Sequence, residues 1–308
     1  MKKLKAKLTK RSAPKLVIAL ATMLAILKAV VGFASGSLAV LSSAVDSLMD
    51  VLASSLNYVL IRAADEPPDK EHNFGHGKFE SYASFLQSVL IFASGVYLFV
   101  EACRRLYSSE SMQISSLAGL VMLVSIVVSL VIVLLLRSTA RREASPALKA
   151  DAAHYAMDLL TNSGVLVALI IIKLTGLVWI DAAIALVLSV YIMYSALKIH
   201  IAALRVILDM RVPESELQEI TAVLDKYSAY FKNYHRLRAR TDGYKIFVDL
   251  HLLLCNELTL GEAHALCDII EQEMPAHIDL TIHPEPVDMK KIDANIRWKV
   301  QALLNEPK

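Results

Sequence analysis

Six long apolar stretches constrain this chain more than any other feature of its sequence. Each is about 20 residues or longer, which is the length that an α-helix needs to cross a hydrocarbon core about 30 Å thick. Inside a bilayer every backbone polar group must be satisfied within the protein, so long apolar runs indicate spanning helices. We therefore predict an all-α transmembrane domain over residues 16–208, with spans near residues 16–36, 38–61, 79–103, 114–136, 147–174 and 178–204.

Composition agrees with a protein that crosses the bilayer several times. Hydrophobic residues make up 56% of the 308 residues and charged residues 20%, a balance too apolar for a soluble domain of this length. The net charge of +2 gives no support to nucleic-acid binding. The cysteines (Cys103, Cys255 and Cys267) form no Cys-x-x-Cys pair, so neither a disulfide framework nor a cysteine-rich zinc site is indicated. We expect Cys255 and Cys267 to be plain core residues.

The basic segment 1–15 and the loops at 62–78 and 137–149 predict the orientation of the spans. Positive charge in short loops is retained in the cytoplasm, and these three segments fall on one side if there are six spans. The opposite loops are poorer in cations, apart from Arg104 and Arg105. The apolar run after the basic segment continues without a small-residue cleavage site, so we interpret it as a retained span rather than a signal peptide. We predict that both termini are cytoplasmic and that the protein lies in the cell inner membrane.

Residues 209–290 have the composition of a soluble domain that follows the spans. Apolar periodicity and turn signals predict, in order, a helix, two strands joined by an Asp-Gly turn, a helix capped by Thr259 with Glu262, and a third strand. The predicted ranges are 214–229, 237–240, 244–254, 259–273 and 277–283. An α-β-β-α-β order is typical of a small α+β sandwich of the ferredoxin-like or metallochaperone-like kind. The charged tail at 291–308 is predicted to be partly helical.

Two pairs of ionisable side chains lie inside predicted spans. Asp46 and Asp50 are four residues apart in the second span, and His154 and Asp158 are four residues apart in the fifth. Side chains at i and i+4 share one face of a helix, and both pairs lie near mid-membrane if the two spans cross in opposite directions. An ionisable side chain at the membrane centre costs roughly 2.5 to 3.5 kcal/mol on insertion scales. A divalent cation bound by all four side chains is the simplest explanation.

The four side chains would supply three carboxylates and one imidazole, a ligand set that tetrahedral Zn²⁺ accepts. The histidine favours zinc and its neighbours over Mg²⁺ or Ca²⁺, which prefer oxygen ligands alone. Fe²⁺, Cd²⁺ and Mn²⁺ stay open as alternatives. Other polar residues extend each pair into a polar stripe along its helix, with Ser43, Ser54 and Asn57 in the second span and Asp151 in the fifth. For the serine and asparagine residues, hydrogen bonding between neighbouring helices is a second interpretation beside a role at the site.

A second cluster of possible metal ligands lies in the loop between the second and third spans. Asp69, His72 and His76 fall in a segment punctuated by proline and glycine, where three ligands could bind a metal ion and leave one position open. From the residues alone, a solvated loop without a metal ion is an equally good interpretation.

Together these features resemble the cation diffusion facilitator family, particularly its bacterial zinc and iron exporters. The resemblance rests on Asp-x-x-x-Asp in span two, His-x-x-x-Asp in span five, the six spans and the α-β-β-α-β domain, and it covers about residues 10–287. It implies a homodimeric antiporter that moves a divalent cation, Zn²⁺ above all, out of the cytoplasm in exchange for protons. Its transport site would consist of Asp46, Asp50, His154 and Asp158.

The resemblance also implies roles for residues outside the spans. The loop matches the family's His-x-x-x-His-Gly-Lys pattern, which favours a zinc site at Asp69, His72 and His76. The lysine of that pattern, Lys78, would pair with Asp209 just after span six and so link the two halves of the dimer. A further metal site is implied in the cytoplasmic domain at His235, His251, His264, His283 and Glu285. The glutamate departs from the aspartate that the family pattern has there.

An enzyme is the first alternative to a transporter. The chain lacks His-Glu-x-x-His, a Walker-type glycine loop and a Gly-x-Ser-x-Gly elbow, so intramembrane proteolysis, ATP-driven pumping and acyl chemistry have no visible machinery. We therefore expect no enzymatic activity. A membrane-bound metal sensor without transport is the remaining alternative.

Overall fold

The computed structural model describes residues 8–108, 116–288 and 296–305, without the side chains of residues 38, 39, 107, 108 and 116–118. The chain divides into two separately packed units, Met1–Ile207 and Leu208–Lys308.

The first unit is built from long helices, which are α1 (Ala13–Ser35), α2 (Leu38–Ala64), α3 (Lys78–Ser108), α4 (Ser116–Arg142), α5 (Pro146–Thr175) and α6 (Trp179–Ile207). All six are long and apolar enough to cross a membrane, which confirms the predicted all-α transmembrane fold. Residues 114 and 115 of the predicted fourth span lie outside the described residues. Large apolar side chains such as Phe33 and Leu174 are exposed on the helix surfaces, as expected where lipid tails surround a helix.

Short connections with capping residues join neighbouring helices. α1 ends at Gly36, whose φ of 65° lies in the left-handed region that glycine adopts without strain. The Ser37 side chain then accepts a hydrogen bond from the Val40 backbone N–H and starts α2. α5 starts in the same way, with the Ser145 side chain as the cap and a proline in its first turn.

Helix packing favours two groups among the six helices. α3 packs most extensively against α6, where Gly95 allows a close approach, since a Cβ atom there would lie 2.8 Å from Met193 Cγ. Both α3 and α6 also contact α5, so the two groups share an interface. The other four helices, α1, α2, α4 and α5, meet in a cluster of buried side chains that includes Val17, Ile61, Leu136 and Leu148.

Charged groups connect the helix ends that lie near the start of α1. Arg11 Nε donates to Asp65 Oδ2 at 2.6 Å, and Lys10 also pairs with Asp65. The buried Glu80 carboxylate at the start of α3 accepts a hydrogen bond from Ser145 Oγ. Burial alone would raise the pKa of Asp65, but the hydrogen bonds from Lys10 and Arg11 outweigh it and lower that pKa. The Asp65 carboxylate is therefore charged and holds the chain before α1 to the end of α2.

The second unit contains α7 (Glu214–Lys226), β1 (Asn233–Thr241), β2 (Ile246–Cys255), α8 (Leu260–Glu273), β3 (Ile278–Val287) and α9 (Ile296–Leu304). The sheet order is β1-β2-β3, with β1 antiparallel to β2 and β2 parallel to β3. The predicted α-β-β-α-β order is confirmed. The inward face of β2, which includes Val248 and Leu250, joins Ile220 of α7 and Leu266 of α8 in one hydrophobic core.

The strand limits differ from their predicted positions. β1 begins at Asn233 rather than residue 237, and β3 ends at Val287 rather than residue 283. The start of β1 is polar and exposed, so it lacks the apolar alternation of a half-buried strand, and pairing with β2 decides its length. The ladder is irregular between His235 and Arg238. By contrast, the predicted capping box of Thr259 and Glu262 is present at the start of α8.

Cys267 lies in the core of the second unit, and its chemistry follows from its burial. Burial raises the pKa of the Cys267 thiol to about 11, which lowers the thiolate fraction at neutral pH about a hundredfold relative to an ordinary cysteine. We expect iodoacetamide at pH 7.5 to leave Cys267 of the folded protein unmodified over a time that labels it fully in denaturant. Peptide mass spectrometry measures both rates. Equal labelling of the folded and the denatured protein would contradict the buried placement.

Candidate metal centre

α2 and α5 bring three ionisable side chains together within the transmembrane unit. His154 Nε2 lies 3.0 Å from Asp50 Oδ1 and 3.8 Å from Asp158 Oδ2. One ligand atom from each of the three residues lies within 4.8 Å of the others, and all three side chains are half-buried. Two separate helices therefore supply one convergent set of two carboxylates and one imidazole.

The spacing of these atoms fits a tetrahedral metal ion. Ligands that each lie about 2.1 Å from a tetrahedral Zn²⁺ are separated from one another by about 3.4 Å. The two measured separations, 3.0 and 3.8 Å, lie on either side of that value. Two of the three pairs are therefore spaced as the ligands of one metal ion would be.

Asp46 does not join the group of three, although it was predicted as the fourth ligand. It lies one helical turn before Asp50, is exposed on α2, and interacts electrostatically with Asp50. The role of Asp46 as a ligand stays a prediction. To bind a metal ion together with the other three residues, its carboxylate would have to move towards them.

Next to the group of three, a buried polar cluster connects α2 to α5. Ser54 Oγ donates to Asp151 Oδ1 at 3.2 Å and lies 3.0 Å from the Tyr155 hydroxyl oxygen. Asn57 Nδ2 donates to the Ala147 carbonyl oxygen at 3.3 Å. Ser54 and Asn57 thus form hydrogen bonds between α2 and α5, as the second interpretation of these polar residues expects. Sequence reasoning gave Asp151 no role, although its place in the polar stripe of the fifth span was a usable signal.

The loop between α2 and α3 also gathers its predicted ligands. His76 Nε2 lies 3.5 Å from Asp69 Oδ2, and the His72 and His76 ring centroids are 4.4 Å apart. Hydrogen bonds from backbone N–H groups, that of His72 first, lower the pKa of Asp69 and favour the carboxylate that a metal ion requires. Gly75, with φ of 85°, makes the turn that brings the two histidines onto one side of the loop.

The sheet of the second unit brings together three of its five predicted ligands. His235 and His251 are directly opposite each other on β1 and β2. Glu285 of β3 lies with its Oε1 2.6 Å from His251 Nδ1 and its Oε2 3.4 Å from His235 Nε2. The hydrogen bond with His251 lowers the pKa of Glu285. The glutamate therefore reaches both histidines despite its extra methylene group.

The other two predicted ligands of this site are placed differently. His283 is the β3 partner of His251, with ring centroids 4.7 Å apart, so it adjoins the group without entering it. His264 lies on α8 and pairs with Asp268 at 3.7 Å. It belongs to none of the ligand groups found among the described residues.

Comparison with known proteins identifies both units of the chain. The family model described as the cation efflux transmembrane domain matches residues 15–208, and the model for the cytoplasmic domain of cation efflux proteins matches residues 212–287. Curated relatives are described as the cation-efflux pump FieF. The protein from Serratia proteamaculans (strain 568) is 35% identical over 293 residues, which cover 94% of this chain and 97% of the relative. That from Yersinia pestis (strain Pestoides F) is 35% identical over 285 residues, which cover 92% and 94%.

The chain belongs to the cation diffusion facilitator family. It is a cation efflux transporter of the membrane, with six spanning helices followed by the cytoplasmic domain of this family. Members of this family are transporters rather than enzymes. Proteins of this family transport divalent metal ions.

The predicted pair of Lys78 and Asp209 stays a prediction. The two residues belong to the two different units, and within the second unit Asp209 Oδ1 lies 3.6 Å from Arg240 Nη1. Asp209 also has a left-handed backbone with φ of 52°, directly after the last spanning helix.

Proposed function

We propose that this transporter is a Zn²⁺/proton antiporter that exports zinc from the cytoplasm. The observation that carries the proposal is the group of Asp50, His154 and Asp158, which two membrane-spanning helices hold within ligand distance of one another. Ionisable side chains inside spanning segments mark ion pathways or pairs, and this group has the composition of a metal site. Asp46 would complete the set when a metal ion binds.

The ligand set supports zinc as the main cargo. An imidazole combined with carboxylates suits Zn²⁺ and the neighbouring transition metals better than Mg²⁺ or Ca²⁺. The same set would accept Fe²⁺, Cd²⁺ or Mn²⁺, so these ions are the competing cargoes. The relatives are described as cation-efflux pumps, a description that specifies no single metal.

Proton exchange follows from competition at the ligands. A metal ion binds carboxylates and a neutral imidazole, so loading the site from the cytoplasm displaces the protons that these groups carry. Protonation on the far side would then weaken the site and release the cation. Coupling of this kind needs no separate proton-binding residue.

Alternating access would use the two packing groups of helices. In this proposal α1, α2, α4 and α5 carry the site and rock against α3 and α6, across the contacts that α5 makes with both of them. α2 and α5 supply all the ligands, so movement within the first group is not required. The site can then change its exposure while its ligand distances are kept.

The remaining predictions complete the proposal. The transporter would be a homodimer in the cell inner membrane, with both termini in the cytoplasm, and the Lys78–Asp209 pair would link the dimer halves. The loop ligands (Asp69, His72 and His76) and the sheet ligands (His235, His251 and Glu285) would bind further zinc ions on the cytoplasmic side. The name of the family model that matches the second domain, ZT_dimer, supports dimerisation.

Purified protein in sealed proteoliposomes tests the proposal. With a zinc dye inside the vesicles and a pH dye in the same lumen, external Zn²⁺ should enter while lumenal protons leave, and an imposed proton gradient should speed entry. Protein-free vesicles are the control, and Fe²⁺, Cd²⁺ and Mn²⁺ in parallel rank the cargoes. Zinc binding without entry would favour a membrane-bound sensor, and zinc entry without proton movement would contradict antiport.

A further inference from the structure

One cation of the transmembrane unit is buried among apolar helices. Lys28 lies in the second half of α1, seven residues before the helix ends, with 6% of its surface exposed. Its Nζ donates to Ser47 Oγ at 2.7 Å and to the Ser43 carbonyl oxygen at 3.4 Å, both on α2. A lysine buried between spanning helices is costly, so such residues normally pair with other groups or mark a functional site.

The hydrogen bond to Ser47 holds Lys28 beside the acids of α2, since Ser47 directly follows Asp46 and lies one helical turn before Asp50. Lys28 also interacts electrostatically with Asp50, Asp158 and Asp46. These acids come from α2 and α5, whereas the lysine comes from α1. A third helix therefore directs a positive charge at the site without supplying a ligand, since the ammonium group carries no lone pair for a metal ion.

Packing alone does not account for a lysine here. Its hydrogen bonds end on a neutral hydroxyl and a backbone carbonyl, and a neutral amide could donate to both. What a neutral side chain would not supply is a charge that offsets clustered carboxylates in a medium of low dielectric constant. The same charge repels a divalent cation that enters the site.

We propose that Lys28 is a positioning residue of the transport cycle, a tethered cation that stabilises the metal-free site and limits how tightly the site holds a divalent cation. The proposal rests on the transport function proposed above. When the metal ion is present, Lys28 weakens its binding by repulsion. When the ion leaves, the ammonium group stays beside the acids and compensates part of their charge, which favours release and turnover.

Charge-changing variants test this role. Zinc affinity is measured by calorimetry on the full-length protein in detergent, in a background with His72, His76, His235 and His251 replaced by alanine so that the transport site dominates the signal. Lys28→Met should bind Zn²⁺ about tenfold more tightly than the lysine protein, because one repulsive charge is gone. Lys28→Arg keeps the charge and should keep the affinity. Lys28→Gln keeps a hydrogen-bond donor without the charge, and it should behave like Lys28→Met.

Transport in proteoliposomes gives the second readout. Lys28→Met and Lys28→Gln should lower both KM and kcat for zinc entry several-fold, whereas Lys28→Arg should stay near the parent values. If both neutral variants bind zinc no more tightly than the parent, the proposal is wrong. Equal losses in all three variants would assign Lys28 to packing and also overturn it. If Lys28→Met does not fold, Lys28→Gln decides.

The two proposals can fail separately. Absence of zinc entry with the parent protein would reject the transport function, while the affinities of the Lys28 variants would still decide whether this charge opposes cation binding. A parent protein that transports zinc, combined with unchanged affinities in both neutral variants, rejects only the role of Lys28.

Discussion

Asp50→Ala is expected to abolish zinc entry into proteoliposomes. Asp50 lies 3.0 Å from His154 and is the α2 member of the ligand group, so its loss leaves two ligands on a single helix. Removing only an outer-shell partner of a metal ligand costs about 10- to 100-fold in affinity or activity, so losing a ligand should cost more than about 100-fold. Initial rates of zinc entry at saturating and at low zinc measure the loss.

A matched aspartate serves as the control for that experiment. Asp249→Ala removes a carboxylate from the exposed face of β2, where it pairs with Arg238 at 2.6 Å and belongs to none of the ligand groups among the described residues. Its rate of zinc entry should stay within a factor of about two of the parent rate, as expected for a surface ion pair of little energetic weight. Parent-like transport by Asp50→Ala would reject the transport site and with it the proposed function.

Leu250→Ala is expected to destabilise the cytoplasmic domain strongly. Leu250 lies on the inward face of β2 with 0% of its surface exposed, in the core that α7 and α8 cover. Truncating a buried leucine to alanine costs about 2 to 5 kcal/mol through lost burial and the cavity left behind. Hydrogen–deuterium exchange of the β2 amides in the full-length protein should report an opening free energy that is lower by that amount.

A leucine on the other face of the same strand provides the comparison. Leu253 lies on the opposite face of β2 and is only half-buried, so Leu253→Ala removes the same atoms with less loss of contact. Its effect on β2 exchange should be clearly smaller than that of Leu250→Ala. Equal protection losses at both positions would mean that the two faces of the sheet are not distinguished by burial, against the alternating pattern of the strand.

The spans and the order of elements were predictable because they depend on neighbours in the sequence. Hydropathy over about 20 residues defines a spanning helix wherever the rest of the chain lies. The Thr259 and Glu262 capping box is likewise a relation across three residues. The contact between Asp50 and His154 was predictable for a further reason. Both side chains lie at the same predicted depth in the bilayer, so they meet whenever their two helices pack side by side with these faces together.

Other parts of the sites were not predictable from the sequence. Asp46 and Asp50 share a helix face at i and i+4, yet only Asp50 reaches His154. His264 was grouped with the sheet histidines, but it lies on α8 beside Asp268. Which of two equivalent positions comes within 4 Å of a partner depends on side-chain rotamers and on how far apart the elements pack, and neither is a property of a short sequence window.

By itself the sequence determined the class of structure, the membrane setting and the two helices that carry the candidate ligands. These features follow from free-energy terms that depend on short stretches of sequence. An apolar run is more stable outside water, and a buried charge is stable only when it has a partner. Only the tertiary structure decided which ligands converge, that Asp151 bonds to Ser54, and that Lys28 of α1 bonds to Ser47 of α2. Such contacts join residues far apart in the chain, and they form only where packing of whole helices brings the side chains within a few ångströms.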